Sequence, residues 1–314
     1  MTVGIPDIAV VIPARDEEAT IAAVVAEVLA ALIGRTAEVV VVDNGSRDAT
    51  VEQARAAGAR VVAAPIPGYG RACMAGVDAT TAPILVFMDG DGSDIPAQIP
   101  ALLDAVEAGA DMALGVRRGP AVEPGSITTP ARFGNWLSGL LLAAVYGRRL
   151  HDLSPLKAVR RSLLDRSRSR ELTYGWTVEL LAAALRTHAA IAEVEVGYRR
   201  RAGGVSKISG DLGASIRAGV RILLTVGRFA LSDSRQALPA LLGAGVVCLL
   251  LLALAGWLAA VPGASQRAWV AIWLVAWPAL LAGVGLGMLA GRVLARLRHT
   301  GRATAASREP SSSR

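Results

Sequence analysis

The chain is short of several things, and each shortage narrows what it can be. Its 314 residues include two cysteines, Cys73 and Cys248, and no CxxC or Cys/His cluster. Neither a disulfide framework nor a zinc site is expected. Aromatics make up 4% and charged residues 19%, against 53% hydrophobic. That excludes a disordered chain and is greasy for a wholly soluble one. Of 33 basic residues only Lys157 and Lys207 are lysine, an arginine excess that reads as coding bias before chemistry. Familiar catalytic signatures are missing too. No GxGxxG follows the first strand-like run, and Gly68-Tyr69-Gly70-Arg71-Ala72-Cys73 lacks the last glycine. There is no GxxxxGK[ST] and no GxSxG, and His151, His188 and His299 are scattered. Dinucleotide-dependent hydride transfer, P-loop ATP hydrolysis and serine-hydrolase chemistry are thereby disfavoured.

What is present is sharply zoned. Residues 237–260 and 268–291 are two runs of 24 without a charge. At about 1.5 Å per residue each reaches about 36 Å, enough to cross a hydrocarbon core with some tilt. The short link between them carries a proline and a glycine, so a helical hairpin is expected across 236–292. Arg217, Arg221, Arg228 and Arg235 precede it, Arg292, Arg296, Arg298 and Arg302 follow it, and Arg267 stands alone between the runs. This asymmetry places both outer flanks on the cytoplasmic side of a cell membrane. The N-terminus has no basic segment leading into an apolar stretch, so no signal peptide is expected. Residues 208–235 read as an amphipathic interfacial helix, with packing on the soluble domain as the alternative. The basic tail 293–314 is expected to be disordered. A net charge of +7 suits an anionic partner, whether nucleic acid, phosphorylated substrate or membrane surface.

Residues 1–207 alternate strand and helix. Strand-like runs fall at 8–12, 38–42, 60–63, 84–88 and 112–115, with helical patterns at 17–33, 50–57, 71–79 and 95–108 between them. That order predicts an α/β fold, a mostly parallel sheet flanked by helices, with its site at the carboxyl ends of the strands. The first, second and fourth runs lead straight into polar clusters: Pro13-Ala14-Arg15-Asp16-Glu17-Glu18, Asp43-Asn44-Gly45-Ser46, and Asp89-Gly90-Asp91-Gly92-Ser93-Asp94. Three acidic clusters at three strand ends should converge on one crevice. Two carboxylates one small residue apart, as in Asp89-Gly90-Asp91, can bring oxygens to one hard divalent cation, Mg2+ or Mn2+, whose shell is commonly completed by substrate phosphates.

These residues carry a resemblance. Val10-Val11-Ile12-Pro13-Ala14-Arg15-Asp16-Glu17-Glu18, Val41-Val42-Asp43-Asn44-Gly45-Ser46-Arg47-Asp48-Ala49-Thr50 and Phe87-Met88-Asp89-Gly90-Asp91 resemble the signatures of family 2 glycosyltransferases of GT-A fold. Gly115-Val116-Arg117, Arg132-Phe133-Gly134-Asn135-Trp136, the stretch 152–161 and the stretch 198–207 are similar to the dolichyl- or polyprenyl-phosphate sugar synthases within that family.

The resemblance implies an inverting enzyme that moves one sugar from a UDP- or GDP-sugar to a polyprenyl phosphate at a membrane, with transfer to another lipid or small-molecule hydroxyl, or an inactive relative serving as a membrane anchor or partner-binding protein, as the alternatives. It implies no nucleic-acid partner and leaves homo-oligomerisation open. Pro13, Arg15, Glu17 and Asp43 would line the nucleotide pocket, with Asp89, Gly90 and Asp91 at the donor diphosphate and Asp89 and Asp91 holding the metal. Arg117, Arg132, Arg200, Arg201, Ser206 and Lys207 would face the diphosphate or the acceptor phosphate. Asp91, Arg117 and Lys207 would be the groups most directly engaged in the reaction. A lipid phosphate is already ionised and needs no general base; for a hydroxyl acceptor Asp152 and Glu179 are the candidates. No QxxRW is present, against a chain-extending synthase. Gly68-Tyr69-Gly70 is expected to be a turn entering a helix. Trp136 is a substrate platform or a core or interface residue. Arg199-Arg200-Arg201 is a phosphate grip or a solvated face, and Arg160-Arg161 a solvated face or a headgroup contact.

Overall fold

In a computed structural model of the chain the described residues are 6–167, 171–173 and 175–202. The chain divides into two units, Met1–Gly227 and Arg228–Arg314, and every described residue belongs to the first. Among them no helix is long and apolar enough to cross a membrane. The expected amphipathic helix, the two apolar runs and the basic tail lie outside the described residues.

Among the described residues seven strands form one sheet: β1 (Ile8–Ala14), β2 (Ala37–Asp43), β3 (Arg60–Ala63), β4 (Ile84–Phe87), β5 (Met112–Val122), β6 (Lys157–Arg160) and β7 (Ile191–Tyr198). Their order is β3-β2-β1-β4-β6-β5-β7. Strands β3, β2, β1 and β4 are mutually parallel, as are β5 and β7. Strand β6 alone runs against both neighbours. The helices are α1 (Ile21–Ala31), α2 (Thr50–Ala56), α3 (Tyr69–Asp78), α4 (Ile99–Glu107), α5 (Thr129–Tyr146), α6 (Arg161–Ser167) and α7 (Trp176–Arg186).

The central strands are apolar without alternation because both of their faces are covered. Ile8 to Ile12 and Val39 to Val42 are all buried. On one face α1 presents Ile21, Val24, Val25 and Val28 at helical spacing, and α4 presents Ile99, Leu102, Leu103 and Val106, joining one core with Val10, Ile12 and Val86. Elsewhere Trp176 of α7 meets Phe87 edge-on at 4.9 Å between ring centroids.

The first four strands fall within two residues of the sequence reading, β5 runs seven residues past it, and β6 and β7 were not anticipated. Strand β6 is four residues long and carries a lysine and an arginine, so it offers no apolar period to read. Gly68-Tyr69-Gly70 is a turn into α3. Gly68 sits at φ +152°, and a Cβ there would lie 2.3 Å from the Leu172 carbonyl oxygen, so only glycine fits.

Arg160 and Arg161 correct an expectation, because neither forms a solvated face. The Arg160 guanidinium donates to the carbonyls of Val106, in the last turn of α4, and Ala110, just beyond it. The Arg161 guanidinium donates to those of Val77, in the last turn of α3, and of Thr80 and Ala82 just beyond it. Each adds donors to carbonyls in the last turn of a helix and just beyond it, where a cation also suits the helix dipole.

Candidate active site

Strand order alone brings the three acidic clusters together, since β2, β1 and β4 are adjacent and end at the same edge. Hydrogen bonds then lock the clusters to one another. The Asp16 N–H donates to Ser46 Oγ at 3.1 Å, the Arg47 N–H to Asp16 Oδ1 at 2.8 Å, and the Glu17 N–H to Thr50 Oγ1 at 2.8 Å. Asp16 adopts φ +50° to reach its partners. Thr20 Oγ1 donates to the Gly90 carbonyl at 2.8 Å, tying the first cluster to the third. Asp43 Oδ1 accepts from the Ser46 N–H at 2.9 Å. Buried Asn44 donates to the carbonyls of Ala64 and Ile66 and accepts from the Gly68 N–H.

The turn after β4 carries the carboxylates. Gly92 bends it at φ +77°. Asp91 Oδ1 accepts from both the N–H and the Oγ–H of Ser93, while Asp91 Oδ2 faces Arg201 Nη1 at 3.1 Å. The other arm of Arg201 lies 2.6 Å from both oxygens of Glu17. Asp94 Oδ2 accepts from the Asp89 N–H at 2.9 Å. Burial pushes the Asp89 carboxyl up to about 8, with the charges of Asp91 and Asp94 adding and those of Lys157 and Arg117 opposing. Burial likewise lifts Asp94 to about 6. Beneath them Lys157 is fully buried, across the ladder from Phe87, with Nζ 3.4 Å from Thr177 Oγ1 and 5.5 Å from the Trp176 ring centroid. Burial brings its ammonium down to about 8, against the pull of Cys73, Asp89 and Asp94.

Beside this turn, where β5 ends, lies a cleft of about 410 Å³ lined by Arg117, Arg118, Arg132, Arg149, His151 and Trp136, with Asn135 and Asp152. Asp152 is spoken for: its carboxylate accepts from the N–H, Nε and Nη2 of Arg117, from Asn135 Nδ2 and from the Leu153 N–H, all within 3.0 Å. Five donors leave it little capacity as a base. Arg118, Arg132 and Arg149 are exposed and make no ion pair among the described residues. The Arg117 guanidinium also lies 4.8 Å from the Tyr198 ring centroid. Tyr198 Oη is 3.0 Å from Ser93 Oγ, so contacts run unbroken from the cleft to Asp91.

The expected site residues therefore fall into three places. Pro13, Arg15, Glu17, Asp43, Asp89, Gly90 and Asp91 gather at the ends of β1, β2 and β4, and Arg201 joins them from beyond β7. Arg117 and Arg132 line the cleft. Arg200 turns to neither pocket; its guanidinium donates to the Pro124 carbonyl and its N–H to Glu123. Ser206 and Lys207 lie outside the described residues. Glu179 is buried at the start of α7, where Oε2 accepts from the Glu171 N–H at 2.6 Å. Trp136 is 43% exposed at the cleft, a wall residue and not part of the core. The sequence motifs contain Asn44, Asp94, Lys157 and Tyr198, but sequence reasoning assigned none of them a role. For Lys157 a signal existed: it is one of two lysines in a chain that otherwise uses arginine.

Residues 9–168 match Glycosyl transferase family 2, about half of the chain. The chain is a family 2 glycosyltransferase. It is 36% identical over 213 residues to an uncharacterized glycosyltransferase of Mycobacterium tuberculosis, covering 67% of this chain and 94% of that protein. It is 38% identical over 200 residues to a dolichyl-phosphate hexose transferase of Haloferax volcanii, covering 63% of this chain and 85% of that one. Among solved structures it resembles glucosyl-3-phosphoglycerate synthase from Mycobacterium tuberculosis in complex with Mn2+, uridine diphosphate and glucosyl-3-phosphoglycerate. That match has 29% identity, covers 72% of this chain and 80% of that one, and has a TM-score of 0.59. The sheet is thus the GT-A-like sheet of a nucleotide-sugar glycosyltransferase.

Proposed function

We propose that this glycosyltransferase moves one sugar, with inversion, from a UDP- or GDP-sugar to the phosphate of a polyprenyl phosphate at the cytoplasmic face of the cell membrane. The observation that carries the reading is the cleft: three arginines without carboxylate partners among the described residues, and a fourth held rigid by Asp152, beside the donor turn. Such a set suits a phosphate, which guanidinium can bind bidentately. The dolichyl-phosphate hexose transferase among the relatives supports the same acceptor class, and the two uncharged runs at 237–260 and 268–291 would hold the enzyme beside a lipid.

The donor turn also fits a divalent cation. Asp91 Oδ2 already faces a cationic group, the Arg201 guanidinium, and its oxygen donors are hard. Among the described residues no group of three or more acidic, histidine or cysteine side chains could hold a metal alone, so the diphosphate of the donor would supply remaining ligands. Asp91, with Asp89, would hold Mg2+ or Mn2+, which when bound offsets the charge that builds on the departing nucleoside diphosphate. Pro13, Arg15, Glu17 and Asp43 border the nucleotide, while Arg117 and Arg132 grip the acceptor phosphate. Ser206 and Lys207, outside the described residues, would be further contacts for the diphosphate or the acceptor phosphate. In the reaction a phosphate oxygen of the acceptor attacks the anomeric carbon in line as its bond to the nucleoside diphosphate breaks. No proton need be removed, in keeping with an Asp152 saturated by donors and a Glu179 buried against Glu171.

A second reading sends the sugar to a hydroxyl of a small phosphorylated acid. It is favoured by His151, which lines the cleft with Nδ1 2.7 Å from Glu193 Oε2, an arrangement that can serve a general base. A donor-by-acceptor assay decides. Membranes carrying the enzyme would receive labelled UDP-glucose or GDP-mannose, Mg2+ or Mn2+, and either undecaprenyl phosphate or 3-phosphoglycerate, with Asp91→Asn beside them. Acid-labile, organic-soluble label absent from the variant is the expected result. Label appearing only in a water-soluble, acid-stable product would move the conclusion to the second reading.

A further inference from the structure

Tyr198 ends β7, where it pairs with Val122 of β5, and its two ends serve two different pockets. Its ring lies 4.8 Å beneath the Arg117 guanidinium, on the cleft side. Its hydroxyl lies 3.0 Å from Ser93 Oγ, which also bonds Asp91 Oδ1. Proton counting orders this chain. Serine has one hydroxyl proton, and a carboxylate can only accept. The Ser93 proton therefore goes to Asp91, where the bond is charge-assisted, and the Tyr198 proton goes to Ser93. Hydrogen bonds in such a row strengthen one another.

The row fixes more than a hydroxyl. Asp91 Oδ1 is held by both the N–H and the O–H of Ser93, so the carboxylate cannot rotate freely, and Oδ2 is the oxygen left to face a cation. The backbone reinforces the join, with the Arg199 N–H donating to the Ser93 carbonyl at 2.8 Å. On the other side, the cation–π contact with Tyr198 and the Asp152 bonds together immobilise Arg117.

We infer that Tyr198 is a positioning residue with two separable roles: through its hydroxyl and Ser93 it fixes which oxygen Asp91 presents to the donor's cation, and through its ring it seats Arg117 in the acceptor cleft. The ring half rests on the acceptor reading above; the hydroxyl half does not. Tyr198 and Asp91 thus belong to one continuous structure, from Asp152 through Arg117, Tyr198 and Ser93, in which one aromatic side chain sets both pockets in register.

The test uses the full-length enzyme in detergent or nanodiscs, with Tyr198→Phe, Tyr198→Leu, Ser93→Ala and the Tyr198→Phe/Ser93→Ala double variant. Two constants are measured: binding of Mn2+ together with UDP or GDP, whichever the wild type takes, by calorimetry, and KM for undecaprenyl phosphate. Tyr198→Phe should weaken metal–nucleotide binding about fivefold, the worth of one hydrogen bond, and leave KM for the lipid within about twofold. Ser93→Ala should weaken nucleotide binding at least as much, since it also removes the charge-assisted bond to Asp91, and the double variant should be no weaker than Ser93→Ala, because the two residues act as one unit. Tyr198→Leu should in addition raise the lipid KM, which Phe, keeping the ring, rescues. The inference is overturned if Phe moves the lipid KM instead, if the Phe and Ala effects multiply, or if Phe shifts both constants together with a fall in Tm. A wild type that makes no lipid-phosphate product defeats the acceptor reading and the ring half with it. The calorimetric arm would still judge the hydroxyl half.

Discussion

The two halves of the site are balanced in opposite ways. At the ends of β1, β2 and β4 polar groups answer polar groups within the protein: Asp16 with Ser46 and Arg47, Glu17 with Thr50, Asp91 with Ser93 and Arg201. In the cleft at the end of β5 only Arg117 is neutralised, and Arg118, Arg132 and Arg149 face the opening with no carboxylate among the described residues. The half proposed to take the donor is therefore pre-built, its polar groups already partnered, as electrostatic stabilisation of a leaving group requires. The cleft instead leaves positive charge for a substrate to complete. A pocket that keeps uncompensated charge in its ligand-free form is shaped for an ion of the opposite sign.

The harshest way to break this contrast is to remove charge from the pre-built half. Asp91→Asn keeps size and can still accept from Ser93, so the fold should survive, while sugar transfer falls on the order of a hundredfold or more. Transfer assayed at saturating lipid checks it; activity within tenfold of wild type would mean that Asp91 does not engage the donor. Smaller effects belong to the cleft. Arg132→Ala or Arg149→Ala removes one cation from several, and each should raise the lipid KM about tenfold through loss of a charged hydrogen bond. Nucleotide binding by calorimetry should not move, because neither side chain contacts the donor cluster.

The same contrast explains what could be read in advance. The donor half was legible because each of its clusters follows directly on an apolar strand, and adjacent parallel strands deliver their ends to one edge. Asp43, Asp89 and Asp91 needed no tertiary knowledge beyond that. The cleft is assembled from the end of β5, the middle of α5 and the loop before β6, pieces that share no local pattern. Arg117 and Arg132 were visible through resemblance alone, and Arg149 and His151 not at all. Arg160 and Arg161 looked like surface charge because a sequence does not show which helix ends lie nearby. Lys157 hides for the opposite reason: a charge on a short, fully enclosed strand runs against every hydropathy rule, and only the acidic turn above it makes sense of it.

Gentler tests probe the donor half's self-sufficiency. Arg201 bridges Asp91 and Glu17 at 3.1 and 2.6 Å, and a divalent cation would take the same Asp91 oxygen. Arg201→Ala should therefore tighten Mn2+ binding in the absence of nucleotide by about threefold, the scale of a partly exposed ion pair. Electron paramagnetic resonance titration of free Mn2+ measures it directly, and weaker binding in the variant would show that Arg201 supports the cation instead of standing in for it.

The smallest effect comes from the buried charges under the donor turn, and its sign can be worked out. Burial holds Asp94 up to about 6 and Asp89 up to about 8, both above the ordinary value of 3.8. The folded state thus keeps protons that the unfolded chain has released. The stability these two groups contribute is complete below the unfolded value and is lost as pH rises, through about 6 for Asp94 and then about 8 for Asp89. Lys157 works in the other sense. Burial holds it down to about 8 against 10.5, so its contribution is complete above 10.5 and lost as pH falls through about 8. With metal chelated, Tm should fall by a few degrees from pH 6 toward pH 8 and recover at higher pH. Saturating Mg2+ should flatten the falling limb, since a cation on the carboxylates takes over from the protons. Lys157→Met should leave the falling limb and abolish the recovery. A chelated protein whose Tm climbs steadily from pH 6 to 8 would mean that these carboxylates are already ionised in the folded state, and that the donor half is balanced by Lys157 and Arg117 without help from proton or metal.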